Sequence, residues 1–158
     1  MSGRPKAWHE KLNPLDLVYC NFPDEGALDP APKPRPALVL NVADDSEPQR
    51  VEVAYGTSRK TTQKYAGEFE LTPGDGEVFQ CTGLTEESKF VLRRRVGLPY
   101  NDRWCKPKPA SPPKTTPKLG TLDLKLDKSV QRRFLAAAEA AGLLKAGNPS
   151  SDDQAISS

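Results

Sequence analysis

Histidine, methionine and cysteine are all scarce in this chain: one histidine (His9), one methionine and three cysteines among 158 residues. A single histidine speaks against histidine-based nucleophilic catalysis. No metal-ligand cluster, phosphate-binding loop, dinucleotide fingerprint or G-x-S-x-G elbow is written in the sequence, so neither a metal nor a cofactor is expected. Cys20, Cys81 and Cys105 are odd in number and lack C-x-x-C spacing, which argues against a disulfide framework or a zinc cage and for reduced thiols. No apolar run approaches eighteen residues and Met1 to Trp8 holds no hydrophobic signal segment, so the expectation is a cytoplasmic protein with no membrane span. Charge of one sign is also lacking. At a net +2, the molecule as a whole does not attract nucleic acid, and an anionic partner has to be met by a local patch.

Proline and glycine, by contrast, are plentiful, at sixteen and eleven. That many backbone breakers disfavour an all-helical chain and favour short strands joined by turns. With 36% apolar and 28% charged residues, the chain fits one modest core plus some unpacked sequence. Residues 1–13 read as a polar arm and 146–158 as a disordered tail, leaving a domain over 14–145. Within it, 15–22 (LDLVYCNF) alternates as a first strand that Pro23 stops, and the Pro- and Gly-dense stretch after it is a loop running to Pro36. ALVLNV (37–42) and RVEVAY (50–55) are strands joined by the acidic turn at Asp44, Asp45 and Ser46. GEFEL (67–71) and 77–81 are predicted to pair as a hairpin across Pro73-Gly74-Asp75-Gly76. One further strand covers 89–98, interrupted or bulged where Arg93, Arg94 and Arg95 cluster. Residues 106–118 (KPKPASPPKTTPK) have no large apolar side chain and read as an extended connector. After a short strand at 119–122, Asp127 is placed to cap an alanine-rich amphipathic helix ending near Leu143 or Leu144. The fold class is therefore mainly β with a C-terminal helix: a small antiparallel barrel closed by that helix.

Three ordered segments bear on function: LDLVYCNFP (15–23), KPRPALVL (33–40) and VAYGTS (53–58), followed much later by KLGTL (118–122) before the closing helix. Together they resemble the MazF/PemK family of toxins from toxin–antitoxin pairs. That family opens with Gly-Asp, an apolar strand and Phe-Pro, continues with Arg-Pro-Ala and a strand ending in Thr-Ser or Thr-Thr, and closes with a Gly-Thr-Leu strand and a helix. Here Pro14-Leu15-Asp16 stands where the family has Pro-Gly-Asp. The resemblance spans about residues 14–144 and implies an SH3-like barrel of the MazF/PemK/CcdB type, a homodimer, and metal-independent cleavage of single-stranded RNA by the ribose 2′-hydroxyl, blocked by an antitoxin protein.

By the same resemblance Arg35, Thr57 and Ser58 are the catalytic residues, the arginine's fork of donors suiting a pentavalent phosphate. Lys89, Arg93, Arg94 and Arg95 are the candidates for binding the RNA backbone, although taken alone the arginines are also what the solvent face of a strand looks like. Several family nucleases carry an arginine and an aspartate two apart where this sequence has Lys89 and Val91, which leaves Glu25 and Asp29 in the first loop as candidate acid or base. Two other readings use the same barrel. One is a non-catalytic protein, of the kind a phage or mobile element encodes, that acts by binding a host protein or nucleic acid. The other is a gyrase poison, whose Trp-Gly-Ile type ending this sequence lacks.

Overall fold

The computed structural model describes residues 11–143 apart from 25, 44–47, 60, 63 and 110–115. The alternating run at 15–22 forms strand β1 (Asp16–Cys20), followed by β2 (Arg35–Ala43), β3 (Arg50–Thr57) and β4 (Glu68–Leu71). A short helix α1 (Glu77–Cys81), the long β5 (Ser88–Pro99), β6 (Lys118–Thr121) and helix α2 (Lys128–Ala140) complete the chain. All strand pairs are antiparallel, in one curled six-stranded sheet of order β4-β5-β3-β2-β1-β6. The domain is therefore mainly β with a C-terminal helix, as the strand patterning predicts.

Both faces of the sheet are buried, because each strand carries apolar residues at odd and even positions. Leu17, Leu38, Phe69, Phe90 and Leu92 face α1 and α2, where Val78, Phe79, Val130, Ala137 and Ala138 complete a first core. Phe69 meets Phe134 of α2 edge-on, with ring centroids 5.4 Å apart. On the opposite face Val18, Cys20, Ala37, Val39, Val51 and Val53 pack with Leu12, Leu98, Tyr100 and Trp104. Leu12 falls in the polar arm by sequence, yet it is buried. Its backbone exchanges two hydrogen bonds with the Gln49 side chain, Leu12 N–H to Oε1 at 2.8 Å and Nε2 to the Leu12 carbonyl at 2.9 Å. Residues 1–10 and 144–158, and with them most of the arm and all of the tail, lie outside the described residues, as does the turn at 44–47.

The hairpin expected across Pro73–Gly76 is not formed: 77–81 is helix α1. The physical reason is twofold. Thr72 N–H donates to Asp75 Oδ2 at 2.8 Å, which winds Pro73–Asp75 into a 3₁₀ turn that leads on into α1. The edge of β4 is meanwhile met by α2, whose Arg133 donates to the Glu70 carbonyl at 2.9 Å and to Asp75 Oδ1 at 2.7 Å. Helix α2 itself starts as the sequence requires, with Asp127 Oδ1 accepting from the backbone of Ser129 and Val130. The bulge in β5 also falls where the arginines are. Ala54 pairs with Arg95 while the next residue, Tyr55, pairs with Val91, so residues 92–94 are looped out of register.

One backbone and one side-chain feature tie the start of β1 to its neighbours. Leu15 is the one described non-glycine residue with a positive φ, +74°, and its N–H and carbonyl are tied to the Val39 carbonyl and the Leu122 N–H. Beside it the Asp16 carboxylate is buried, accepting from Asn13 N–H and Thr121 Oγ1 at 2.8 Å each and lying 3.4 Å from Lys118 Nζ. A left-handed backbone costs a side chain-bearing residue about 1–2 kcal/mol. Leu15→Gly is therefore expected to be more stable than Leu15→Ala by about 1 kcal/mol in urea unfolding, the reverse of the usual order, because both variants lose the same packing but only glycine relieves the strain.

Candidate functional site

Arg35 opens β2 and Thr57 ends β3. Because Ala37 pairs with Tyr55, the antiparallel register brings Arg35 and Thr57 to the same end of this strand pair. The approach is close: a Cβ on Gly56 would strike the Pro36 carbonyl and come within 2.7 Å of the Phe90 ring, so the glycine between Tyr55 and Thr57 is a packing requirement. Thr57 is buried, and its Oγ1 accepts from Arg59 N–H at 3.1 Å, which turns the chain sharply after the strand and leaves Ser58 and Arg59 exposed on the rim.

These residues line a cleft of about 170 Å³ closed on its other sides by Tyr19, Lys33, the turn at 84–88 and Lys108. Lys108 donates to Thr85 Oγ1 at 3.1 Å and stands 5.9 Å from the Tyr19 ring centre. The lining holds four cations, Lys33, Arg35, Arg59 and Lys108, against one carboxylate, Glu86. Such a cleft concentrates positive potential with hydroxyl donors and an aromatic face, which suits a phosphodiester with its neighbouring base. The three residues singled out as catalytic, Arg35, Thr57 and Ser58, are thus together on one wall.

The other candidates are placed differently. Lys89 is 6% exposed and its ammonium is 2.9 Å from Glu68 Oε1, so its charge is directed at the neighbouring strand β4 and it does not line the cleft. The three arginines diverge because they sit on a bulge. Arg93 donates from Nε to the Ala66 carbonyl at 3.0 Å. Arg95 donates to the Leu92 and Ala141 carbonyls and lies 3.8 Å from Glu52. Arg94 lies over the Tyr55 ring at 4.1 Å and Phe22 at 5.4 Å. All three contribute to a second, wider cleft of about 470 Å³ with Phe22, Pro23, Asp24 and Val91. Tyr55 links the two clefts, since the Arg35 guanidinium is 5.5 Å from its ring.

Of the two loop carboxylates expected near Arg35, only Asp29 is described, and it does not join the arginine. Asp29 is paired with Arg103 at 2.8 Å, is largely exposed and lines neither cleft, while Glu25 lies outside the described residues. The carboxylate that does reach the cleft is Glu86, which the sequence reading passed over. Its signal was the pair Glu86-Glu87 immediately before β5. Glu87 is engaged by the Thr61 hydroxyl, while Glu86, which is exposed, is among the residues lining the cleft. Among the described residues no group of three or more histidine, cysteine, aspartate or glutamate side chains is arranged to hold a metal ion, and no helix is long and apolar enough to cross a membrane. No protein-family model matches the chain, and a search of curated proteins finds none that matches.

Proposed function

We propose that the chain is a toxin-type endoribonuclease on a MazF/PemK-like, SH3-like barrel, cutting single-stranded RNA by attack of a ribose 2′-hydroxyl on the adjacent phosphate. The observation that carries this reading is the convergence of Arg35, Thr57 and Ser58, from segments about twenty residues apart, on one cationic cleft that also holds a carboxylate. Two further features support it. Leu15, where the resembled family has glycine, holds a backbone conformation that favours glycine. Gly120 of the Gly-Thr-Leu segment packs backbone against backbone on the turn after α1.

In this reading Glu86 takes the proton from the 2′-hydroxyl, the oxygen attacks phosphorus as the bond to the 5′-oxygen breaks, and the departing 5′-oxygen takes a proton from solvent water, leaving a 2′,3′-cyclic phosphate, a 5′-hydroxyl end and a hydroxide that Glu86 neutralises by returning its proton. Arg35 offers paired donors to the non-bridging oxygens as charge builds there. Thr57, whose oxygen already accepts from Arg59, keeps its hydroxyl proton to donate to the phosphate, and Ser58 offers a second. The Tyr19 ring gives a neighbouring base a stacking surface. A second copy of the chain and an antitoxin protein are the partners this reading entails.

A long RNA incubated with the protein in EDTA tests it. Discrete cuts at a recurring short motif are expected. Arg35→Ala is expected to slow cutting about 10²–10³-fold, the cost of losing a transition-state donor, with the melting temperature unchanged because Arg35 is only partly buried. The Thr57→Ala, Ser58→Ala double variant and Glu86→Gln should each lose at least about 10²-fold. Intact RNA of every sequence tried would sink the nuclease reading. It would favour instead a binding protein on the same barrel, which the pairing of Lys89 with Glu68 and the apolar Val91, at the positions where family nucleases carry arginine and aspartate, already suits.

A further inference from the structure

Cys20, at the end of β1, and Cys105 are both fully buried and face each other across an isolated antiparallel bridge, with Sγ atoms 3.3 Å apart. The flanking hydrogen bonds run from Asn21 N–H to the Trp104 carbonyl (2.8 Å) and from Lys106 N–H to the Tyr19 carbonyl (3.2 Å). Cys20 and Cys105 are therefore a non-hydrogen-bonded pair, the position in an antiparallel ladder where Cα atoms come closest, about 4.5 Å, and where opposed side chains touch. That spacing falls inside the range a disulfide spans. The third thiol, Cys81, is exposed and apart from them.

The pair also sits at a structural junction. Tyr19, next to Cys20, accepts from Lys106 and donates its own N–H to the Pro117 carbonyl at 2.9 Å, so the chain leaves β1 at Lys106 and returns to it at Pro117. Three residues beyond Cys105, Lys108 reaches into the cleft over Tyr19. We infer that Cys20 and Cys105 are an oxidative modification site: a small-molecule disulfide converts them to an intrachain disulfide that fixes the extended segment carrying Lys106 and Lys108 onto β1 beside the cleft.

The exchange balances without any other reactant. One thiolate attacks the reagent's disulfide, forming a mixed disulfide and expelling one reagent thiolate. The second cysteine then attacks the protein sulfur of that mixed disulfide and expels the other. Two protein thiols are oxidised, one reagent disulfide is reduced, and the two protons pass to the released thiolates. Contact with Cys105 and burial both push the Cys20 thiol well above its ordinary pKa. Reaction is consequently slow at neutral pH and accelerates about tenfold per pH unit on the alkaline side, until the thiolate predominates.

The test uses the full chain carrying Cys81→Ser, which removes the exposed thiol without touching the pair. It is equilibrated with bis(2-hydroxyethyl) disulfide at pH 8.5, with and without urea just below the unfolding midpoint. Expected are loss of both thiols together, a mass lower by two hydrogens with no retained adduct, a linked Cys20–Cys105 peptide pair on non-reducing digestion, and a melting temperature raised by about 10 °C. Adding Cys105→Ser should leave a stable mixed disulfide on Cys20. Both thiols still free to alkylation after equilibration in urea, or oxidation halting at a mixed disulfide with Cys105 intact, would overturn the assignment.

Discussion

Gly120→Ala is expected to unfold the protein or cost about 3–5 kcal/mol, a large share of the roughly 5–15 kcal/mol that holds a domain of this size together. A Cβ at Gly120 would collide with the Cys81 carbonyl oxygen and sit 2.6 Å from the Thr82 carbonyl carbon. Both are backbone atoms at the end of α1, so no side chain can rotate away. The opposing surface is equally fixed. Gly83 has φ of +76°, and a Cβ there would lie 2.7 Å from the Leu119 carbonyl carbon. Thr82, between them, is fully buried and donates its hydroxyl to the Phe79 carbonyl at 2.5 Å. The turn after α1 and strand β6 therefore pack with no room for a methyl group, and separating them opens the core that Leu119 and Leu122 help to fill. Gly97→Ala is the internal control. Its Cβ would meet only the Val51 carbonyl, at 3.9 Å, and φ there is not left-handed, so a change below about 1 kcal/mol is expected in the same urea titration.

Lys89→Met is expected to lower stability by about 3 kcal/mol, while Lys89→Met with Glu68→Leu regains most of that loss. The Lys89 and Glu68 side chains are 8% and 12% exposed, so removing the ammonium leaves a carboxylate with little water to replace it. Breaking one half of a buried pair costs several kcal/mol, whereas replacing both halves by apolar groups is close to neutral. In the nuclease reading, affinity for an RNA analogue lacking free 2′-hydroxyls, titrated on the folded protein, should change less than twofold for either variant. A loss of affinity of about tenfold or more, with stability unchanged, would instead restore Lys89 to the RNA-binding role expected from the sequence.

Lys89 and Arg95 illustrate what one-dimensional reading misses. Both stand in a run of basic residues, and charge density alone marks them as a phosphate-binding patch. Their environment is set by strands distant in sequence: β4 brings Glu68 to Lys89, and β3 brings Glu52 to Arg95. The same holds for Glu86, an unremarked surface acid until the turn at 84–88 folds across the end of β3. The misread segment 77–81 has another cause. Its five residues are too few for periodicity to separate strand from helix, and the Thr72–Asp75 hydrogen bond together with α2 on the β4 edge decided it.

What the sequence determined by itself is what depends on neighbours along the chain: strands β1 and β3 from alternation, β2 from its continuous apolar run, the bulge at the arginines and the Asp127 cap of α2; the grouping of Arg35 with Thr57 and Ser58 came from the family resemblance. Only the tertiary structure decided which charges face a ligand and which face each other. It also decided that Gly120 and Gly83 are contact points rather than hinges, and that two cysteines eighty-five residues apart touch. These depend on how the sheet curls, and curl is a property of six strands packed together, not of any one of them.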